Sequence, residues 1–568
     1  MNDIRRTILW VIFGFSMVLL WDKWQVHNGN KAMFFPSSAP AATAAAEGAA
    51  KPAVAGSAAV PTSASNATAQ LPAAGAVAAP APRQSVEVTT DVFKLTFDSE
   101  GGSLVKAELL KYSDVEHKDR SVVLLDDSKD RVYVAQTGLI GGGFPTHKTP
   151  MNVVPGPRTL KDGESELTVR FESPDLGGVK LIKTYTLRRG AYDLAVKHEV
   201  QNTGSAAVTP QIYFQLVRDG NKPPGESSFY STFTGPAVYT EAKKYQKVEF
   251  KDIENGKADI QKESANGYVA MVQHYFASAW LLADGVQRDL FMRKVDTNLY
   301  SVGMITTLPS IAPGASQSLD ARFYAGPEEE KKLEALSPGL ELVKDYGWLT
   351  ILAKPLYWLL DKIHGLLGNW GWSIVGLVVL LKAAFFWLNA KAYSSMAKMK
   401  AINPKITEMR ERLKDKPQQM QQEMMRIYRE EKVNPMGGCL PIIIQIPVFI
   451  ALYWVLLSSV EIRNAPWIGW ITDLSAKDPL FILPVLMTLS SLLQTALNPA
   501  PPDPMQAKMM WIMPLVFSVM FFFFPAGLVL YWLTNNILSI AQQWIINTRM
   551  GVPPQFNLPK FGKSTPAK

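Results

Sequence analysis

Apolar runs of near-bilayer length crowd the C-terminal part of this chain and leave little choice of architecture. Trp372–Leu388, Leu440–Leu457, Leu480–Leu497, Met509–Phe524 and Leu528–Ile546 each approach the roughly 20 residues needed to cross a hydrocarbon layer. Only Pro525-Ala526-Gly527 separates the last two, so they form a tight hairpin. A further run, Thr7–Trp21, follows Arg5 and Arg6 and is itself followed by Asp22, Lys23 and Trp24 rather than by a small-residue cleavage site. That pattern predicts an uncleaved signal anchor over 1–28. The fold class is therefore a polytopic α-helical membrane protein of six transmembrane helices.

Loop charge orients these spans. Lys391–Lys432 carries 11 basic against 6 acidic residues, which places it in the cytoplasm by the positive-inside rule. Glu461–Asp478 is slightly acidic, and the tail 548–568 holds Arg549, Lys560, Lys563 and Lys568 with no acid. Six crossings that begin inside also end inside, so both termini are cytoplasmic. The whole chain carries 58 basic and 50 acidic residues, net +8. This is too mild an excess for wholesale nucleic-acid binding, and no DNA partner is expected. A single cysteine, Cys439, excludes an intrachain disulfide. The six histidines form no HExxH or other ligand pair, which argues against a structural metal.

Between the first span and the others the chain changes character twice. Residues 29–85 are rich in Ala, Pro, Ser and Thr, with Pro52, Pro61, Pro72, Pro80 and Pro82 interrupting any helix; this reads as a flexible linker. Residues 86–340 alternate: Phe93, Leu95 and Phe97, then Leu167, Val169 and Phe171, then the run Lys183–Leu187, then Tyr192–Val200, with Glu100-Gly101-Gly102 and Asn202-Thr203-Gly204 as turns. Period-two runs bounded by such turns predict a large all-β domain of antiparallel strands. It contains no nucleophile elbow and no phosphate loop.

From 345 to 367, Trp348, Leu352, Leu356, Leu359, Ile363 and Leu366 recur at helical spacing and predict an amphipathic helix lying in the headgroup plane. The core then occupies 368–547, with spans expected at 371–390, 437–459, 479–497, 509–524 and 526–547. A cytoplasmic hairpin is expected at 391–432. Met396, Met399, Met409, Met420 and Met424 step along its two helices. Such a seam is ordinarily the hairpin's own interior, although methionine also suits surfaces that accept varied partners.

Polar residues inside the spans carry the functional signal. Lys382 lies about eight residues from the cytoplasmic end of the span expected at 371–390, roughly 12 Å at the helical rise. A charge at that depth costs roughly 2.5–3.5 kcal/mol on insertion scales. It either snorkels to the interface or faces a wet cavity. Gln445, Asn535 and Asn536 lie at comparable depth, and Gln494 nearer the cytoplasm. Each alone could bond a neighbouring helix. Together they outline a polar pocket in the inner half of the bilayer, a candidate substrate groove.

The stretches Asn434-Pro435-Met436-Gly437-Gly438-Cys439-Leu440-Pro441, Gln445-Ile446-Pro447-Val448-Phe449, Asp473–Pro479, Asp503-Pro504-Met505-Gln506 and Phe524–Leu528 resemble, in order, the YidC/Oxa/Alb membrane-protein insertases. The resemblance implies a five-helix insertase core, a large periplasmic β-supersandwich domain and residence in the bacterial inner membrane. It implies that the chain passes nascent membrane proteins into lipid without a cofactor, alone or beside the Sec translocon. The basic tail would then meet the ribosome. The family's groove cation is usually arginine, whereas Lys382 stands here, which keeps the charge and loses the two-pronged donor. Two other classes compete: a secondary transporter with an intramembrane lysine site, and a tethered carbohydrate-binding protein whose β-domain carries the function.

Overall fold

A computed structural model describes residues 83–549 except 116, 224–231, 414–415, 432–439 and 499–503, with 61, 551 and 556 besides. The expected signal anchor, nearly all of the linker and most of the basic tail lie outside the described residues. The described chain forms two compact units, one ending at Asp345 and one beginning at Tyr346.

Two nine-stranded antiparallel sheets build the first unit. From edge to edge, one contains Ser85–Thr89, Phe93–Asp98, Ser103–Ser113, Ser121–Asp127, Val132–Ile140, Gln211–Asp219, Leu299–Thr307, Arg288–Asp296 and Glu263–Ser264. The other contains Lys244–Lys247, Gly235–Thr240, Tyr268–Gln273, Phe276–Leu282, Ser316–Pro327, Asp193–Asn202, Val179–Arg188, Glu166–Glu172 and Asn152–Val153. The period-two segments are strands as expected: Phe93, Leu95 and Phe97 point inward with more exposed polar neighbours between them. The central strands Tyr268–Gln273 and Phe276–Leu282 are buried on both faces. Trp280 is clamped there between Phe214 and Phe323, with ring centroids 5.3 and 4.7 Å away.

The sheet interface also holds a buried cation. Lys183 shares a face with Tyr185 and Leu187, and its Nζ donates to the carbonyls of Gly101 at 2.6 Å and Thr137 at 2.7 Å. Thr137 Oγ1 meets His198 Nε2 at 2.8 Å. Burial lowers the Lys183 pKa to about 7. Burial, then the neighbouring Lys183 charge, holds His198 well below the usual imidazole range. Gly101 has φ of 71°, and a Cβ there would lie 2.3 Å from the His147 carbonyl oxygen, so the turn that aims its carbonyl at Lys183 requires glycine.

The second unit is helical. Its elements are α1 (Thr350–Leu367), α2 (Trp370–Ala384), α3 (Phe386–Arg412), α4 (Pro417–Glu430), α5 (Leu440–Ser458), α6 (Ile482–Leu497), α7 (Pro504–Phe521) and α8 (Ala526–Arg549). Asn369 caps α2 by accepting from the Trp372 amide, and Gly368 ends α1 in the left-handed conformation. One core joins Tyr357 and Leu360 of α1, Ile374 and Leu377 of α2, Leu452 and Val455 of α5, and Val529 and Leu530 of α8.

Three features differ from the sequence expectation. First, the apolar stripe of α1 is rotated. Ala353, Tyr357, Leu360 and Ile363 form its buried face, while Ile351, Trp358 and Leu366 are exposed. The helix is apolar on more than one side, and protein packing takes the side carrying Ala353. Second, the span expected at 371–390 breaks at Phe385, where α2 and α3 bend by 65°. No Pro or Gly marks the break. Third, α3 runs unbroken from the bend into the first arm of the hairpin, so no boundary falls at 391. Among the described residues no single helix is long and apolar enough to cross a membrane, but the bent pair Trp370–Ala384 and Phe386–Ser395 has the length and composition together. Helix α8 is long enough but is diluted by its amides.

The hairpin turns where Pro417 opens α4. Ile402, Ile406 and Met409 are buried in its seam, with Met399, Met420, Met424 and Ile427 packed against them. Those methionines therefore fill the hairpin's own interior. The Met396 side chain lies outside the described residues.

Candidate functional site

Helices α2, α5 and α8 diverge around a recess of about 320 Å³ of atom-free space. Val378, Leu381, Lys382 and Phe385 come from α2 and its end, Gln445, Val448 and Phe449 from α5, and Tyr531 and Asn535 from α8. The break at Phe385 puts Lys382 in the last turn of α2. There, helix carbonyls without intrahelical partners make a cation favourable. Lys382 Nζ donates to Ser539 Oγ at 2.7 Å, and that hydroxyl donates to the Asn535 carbonyl at 2.7 Å. Among the described residues no carboxylate pairs with Lys382. The site therefore offers one half-buried positive charge beside an apolar wall.

Beyond the bend a second polar chain runs across three helices. Gln445 Nε2 donates to Asn389 Oδ1 at 2.9 Å, and Asn389 Nδ2 approaches Gln542 Oε1 at 3.4 Å. Asn389 and Gln542 are both buried. The structure thus brings Lys382, Gln445 and Asn535 together at one recess. It places Asn536 elsewhere: the Asn536 amide donates to Ser491 at 3.0 Å and Ser490 at 3.4 Å on α6. Adjacent residues on a helix are about 100° apart, so Asn535 and Asn536 serve different neighbours. Gln494 does not line the recess either.

Asn389 and Ser539 were not singled out from the sequence. Asn389 follows the apolar run directly, and its spacing of seven from Lys382 was the available signal. Replacing Asn389 with leucine is expected to strand the Gln445 and Gln542 amides. A buried polar group left without a partner costs about 1–3 kcal/mol. The purified variant should melt several degrees lower in detergent and insert substrate more slowly, while Asn389→Ser should recover part of both. Parental melting and insertion in the leucine variant would remove Asn389 from the network.

Two family descriptions match the sequence. Residues 85–359 match the YidC periplasmic domain, and residues 362–552 match the 60Kd inner membrane protein family. A membrane protein insertase YidC from Cupriavidus metallidurans is 57% identical over 551 residues, covering 97% of this chain and 98% of that protein. The Ralstonia nicotianae protein of the same description is 56% identical over 560 residues, with the same coverage of each chain. Among solved structures, an active YidC insertase covers 81% of this chain and 92% of its own, at 19% identity and a TM-score of 0.38. A galactose mutarotase related enzyme from Lactobacillus acidophilus covers 43% of this chain and 97% of its own, at 8% identity and a TM-score of 0.30.

Proposed function

Because the chain belongs to the YidC family of membrane protein insertases, we propose that the Lys382 recess receives the hydrophilic tail of a nascent membrane protein. The protein is an inner-membrane insertase with a periplasmic β-domain, and not an enzyme. In this reading an acidic or neutral tail enters between α2, α5 and α8, drawn toward the ammonium of Lys382. Its apolar segment then moves along the helix surfaces into lipid, driven by hydrophobic transfer and by the membrane potential.

One observation supports this reading above the others. A lysine without a carboxylate partner faces a recess walled by Tyr531, Phe449 and Val448. A buried lysine used only for structure is held by several fixed acceptors, as Lys183 is by two carbonyls, whereas Lys382 has one hydroxyl. The secondary-transporter reading lacks a comparable observation, since among the described residues no acidic side chain lines that recess.

Around this site the proposal includes six crossings with both termini in the cytoplasm, α1 lying at the lipid interface through Ile351, Trp358 and Leu366, and the α3–α4 hairpin in the cytoplasm. The basic tail faces the ribosome, and the Sec translocon is a working partner. The hairpin seam holds the two arms together, leaving its outer charges for contact with arriving chains.

A photocrosslinker placed at Phe449 or Gln445 tests the route. Ribosome-stalled nascent chains should crosslink from these positions and not from Ile537, which is exposed on α8 outside the recess. Equal yields from both faces would mean that substrates contact this protein without entering the recess.

A further inference from the structure

The β-domain carries a second recess, unrelated to the insertase groove, on the first sheet near its Ser103–Ser113 and Val132–Ile140 strands. It has about 470 Å³ of atom-free space open to solvent. Its floor is apolar, formed by Val134, Val217 and Leu299. Its rim carries three carboxylates, Asp98, Glu100 and Asp127, against the guanidinium of Arg83, with the Lys148 ammonium also near Glu100. Arg83 pairs with Glu100 and reaches Asp98 at 3.9 Å, so the rim keeps a negative excess.

Among the described residues one polar group at the wall of the recess, Ser103 Oγ, has no partner, and a second, Gln136, is engaged at only one end. Ser103 is only 4% exposed, and its Oγ has no hydrogen-bond partner. Gln136 is 8% exposed. Its Oε1 accepts from Gln215 Nε2 at 2.9 Å, and Gln215 Oε1 in turn accepts from Ser301. The amide chain therefore runs in one direction and ends at Gln136 Nε2, for which the described residues supply no acceptor. A hydroxyl buried without a partner costs free energy that folding does not recover. A ligand that supplies the partner recovers it.

These features select a chemistry. An anion is disfavoured by the carboxylate excess. A metal ion is not accommodated, because no three His, Cys, Asp or Glu groups among the described residues come together at ligand spacing. A simple alkylammonium would satisfy the carboxylates but leave Gln136 Nε2 without an acceptor. We propose that this recess binds a small hydroxylated amine, an amino sugar or an amino alcohol. Its ammonium would sit beside Asp127, the rim carboxylate with no ion pair to Arg83, its hydroxyls would meet Ser103 Oγ and Gln136 Nε2, and its carbon frame would rest on the valine and leucine floor. Burial, reinforced by the Asp98 charge, raises the Glu100 and Asp127 carboxyls above their usual range despite Arg83, which is the condition a bound cation relieves.

The test is titration calorimetry on the full chain in nanodiscs at constant ionic strength. The probes are glucosamine and serinol for the two sources of the chemistry, with N-acetylglucosamine, butylamine and glucuronate as counterparts. Glucosamine or serinol should bind, whichever is stronger naming the source. Removal of the charge, of the hydroxyls or of the negative rim should each weaken binding at least fivefold; the last is tested by Asp127→Asn. Ser103→Ala, which alters no existing hydrogen bond, should weaken binding severalfold while leaving the β-domain folded. No heat with either amine, equal binding of N-acetylglucosamine or glucuronate, or unchanged affinity in both variants would overturn the assignment.

Discussion

Changing Lys382 to glutamate is expected to reduce insertion of a reporter with an acidic tail by tenfold or more. The alanine variant should lose less, and the arginine variant should stay close to the parent. Two unit charges about 4 Å apart interact by about 4 kcal/mol at an effective dielectric constant near 20, and about 1.4 kcal/mol corresponds to a factor of ten. Reversing the charge converts attraction into repulsion, so a tenfold effect requires only part of that energy. Alanine removes the attraction but leaves Gln445, Asn535 and Tyr531 at the recess, which keep it partly polar. Arginine retains the charge in the last turn of α2, and a donor still faces Ser539. The experiment compares one reporter with acidic, neutral and basic tails across the three variants in reconstituted vesicles. If every variant inserts every tail at the parental rate, the lysine serves no purpose in the groove.

The β-domain should gain about 2 kcal/mol of stability between pH 7 and pH 9, and Lys183→Met should abolish that gain. Lys183 has a pKa of about 7 in the fold, against about 10.4 in an unfolded chain. Across this interval the unfolded chain binds more protons than the folded one, so stability rises with pH. The contribution is complete above the unfolded value, is lost progressively as pH falls toward 7, and is flat below that. His198 adds a separate loss on acidification below the ordinary imidazole range, because it too is held neutral by burial. Pulse proteolysis of the full chain in urea, reading cleavage within 83–345, measures the effect. A parental profile that is level from pH 7 to 9, or a methionine variant with the same slope as the parent, would show that Lys183 does not titrate in this range.

The contrast between Lys183 and Lys382 shows what a linear sequence discloses. Lys382 is conspicuous in the sequence because a charge interrupts an apolar run. Lys183 lies in an alternating strand where polar residues are ordinary, and only its phase with Tyr185 and Leu187 placed it on the inward face. The strands of the β-domain were legible from that same alternation, as at Phe93–Asp98. The doubly buried strands around Trp280 carry no period, because both of their faces meet protein. In the helical unit the two-helix hairpin was legible from the methionines that step along its two arms. The break at Phe385 was not, since Ala383, Ala384, Phe385 and Phe386 all tolerate a helix and tertiary packing decides the bend. Asn535 and Asn536 looked equivalent in depth. They differ by one step around the helix, and only the placement of α5 and α6 tells which one faces the recess.

The short connection between α7 and α8 is fastened to the segment before α6 by main-chain bonds. The Ala526 amide donates to the Ala476 carbonyl at 2.7 Å and the Gly527 amide to the Leu474 carbonyl at 2.8 Å, while Lys477 bridges Pro525. Toward the opposite end of α8, the ties to α2, α3 and α6 noted above are side-chain bonds of Ser539, Gln542 and Asn536. The bundle therefore resembles forceps riveted at one tip. Thermal opening is cheapest where the weaker clasps lie. On the proposed route a guest would spread the arms there and leave the riveted tip shut.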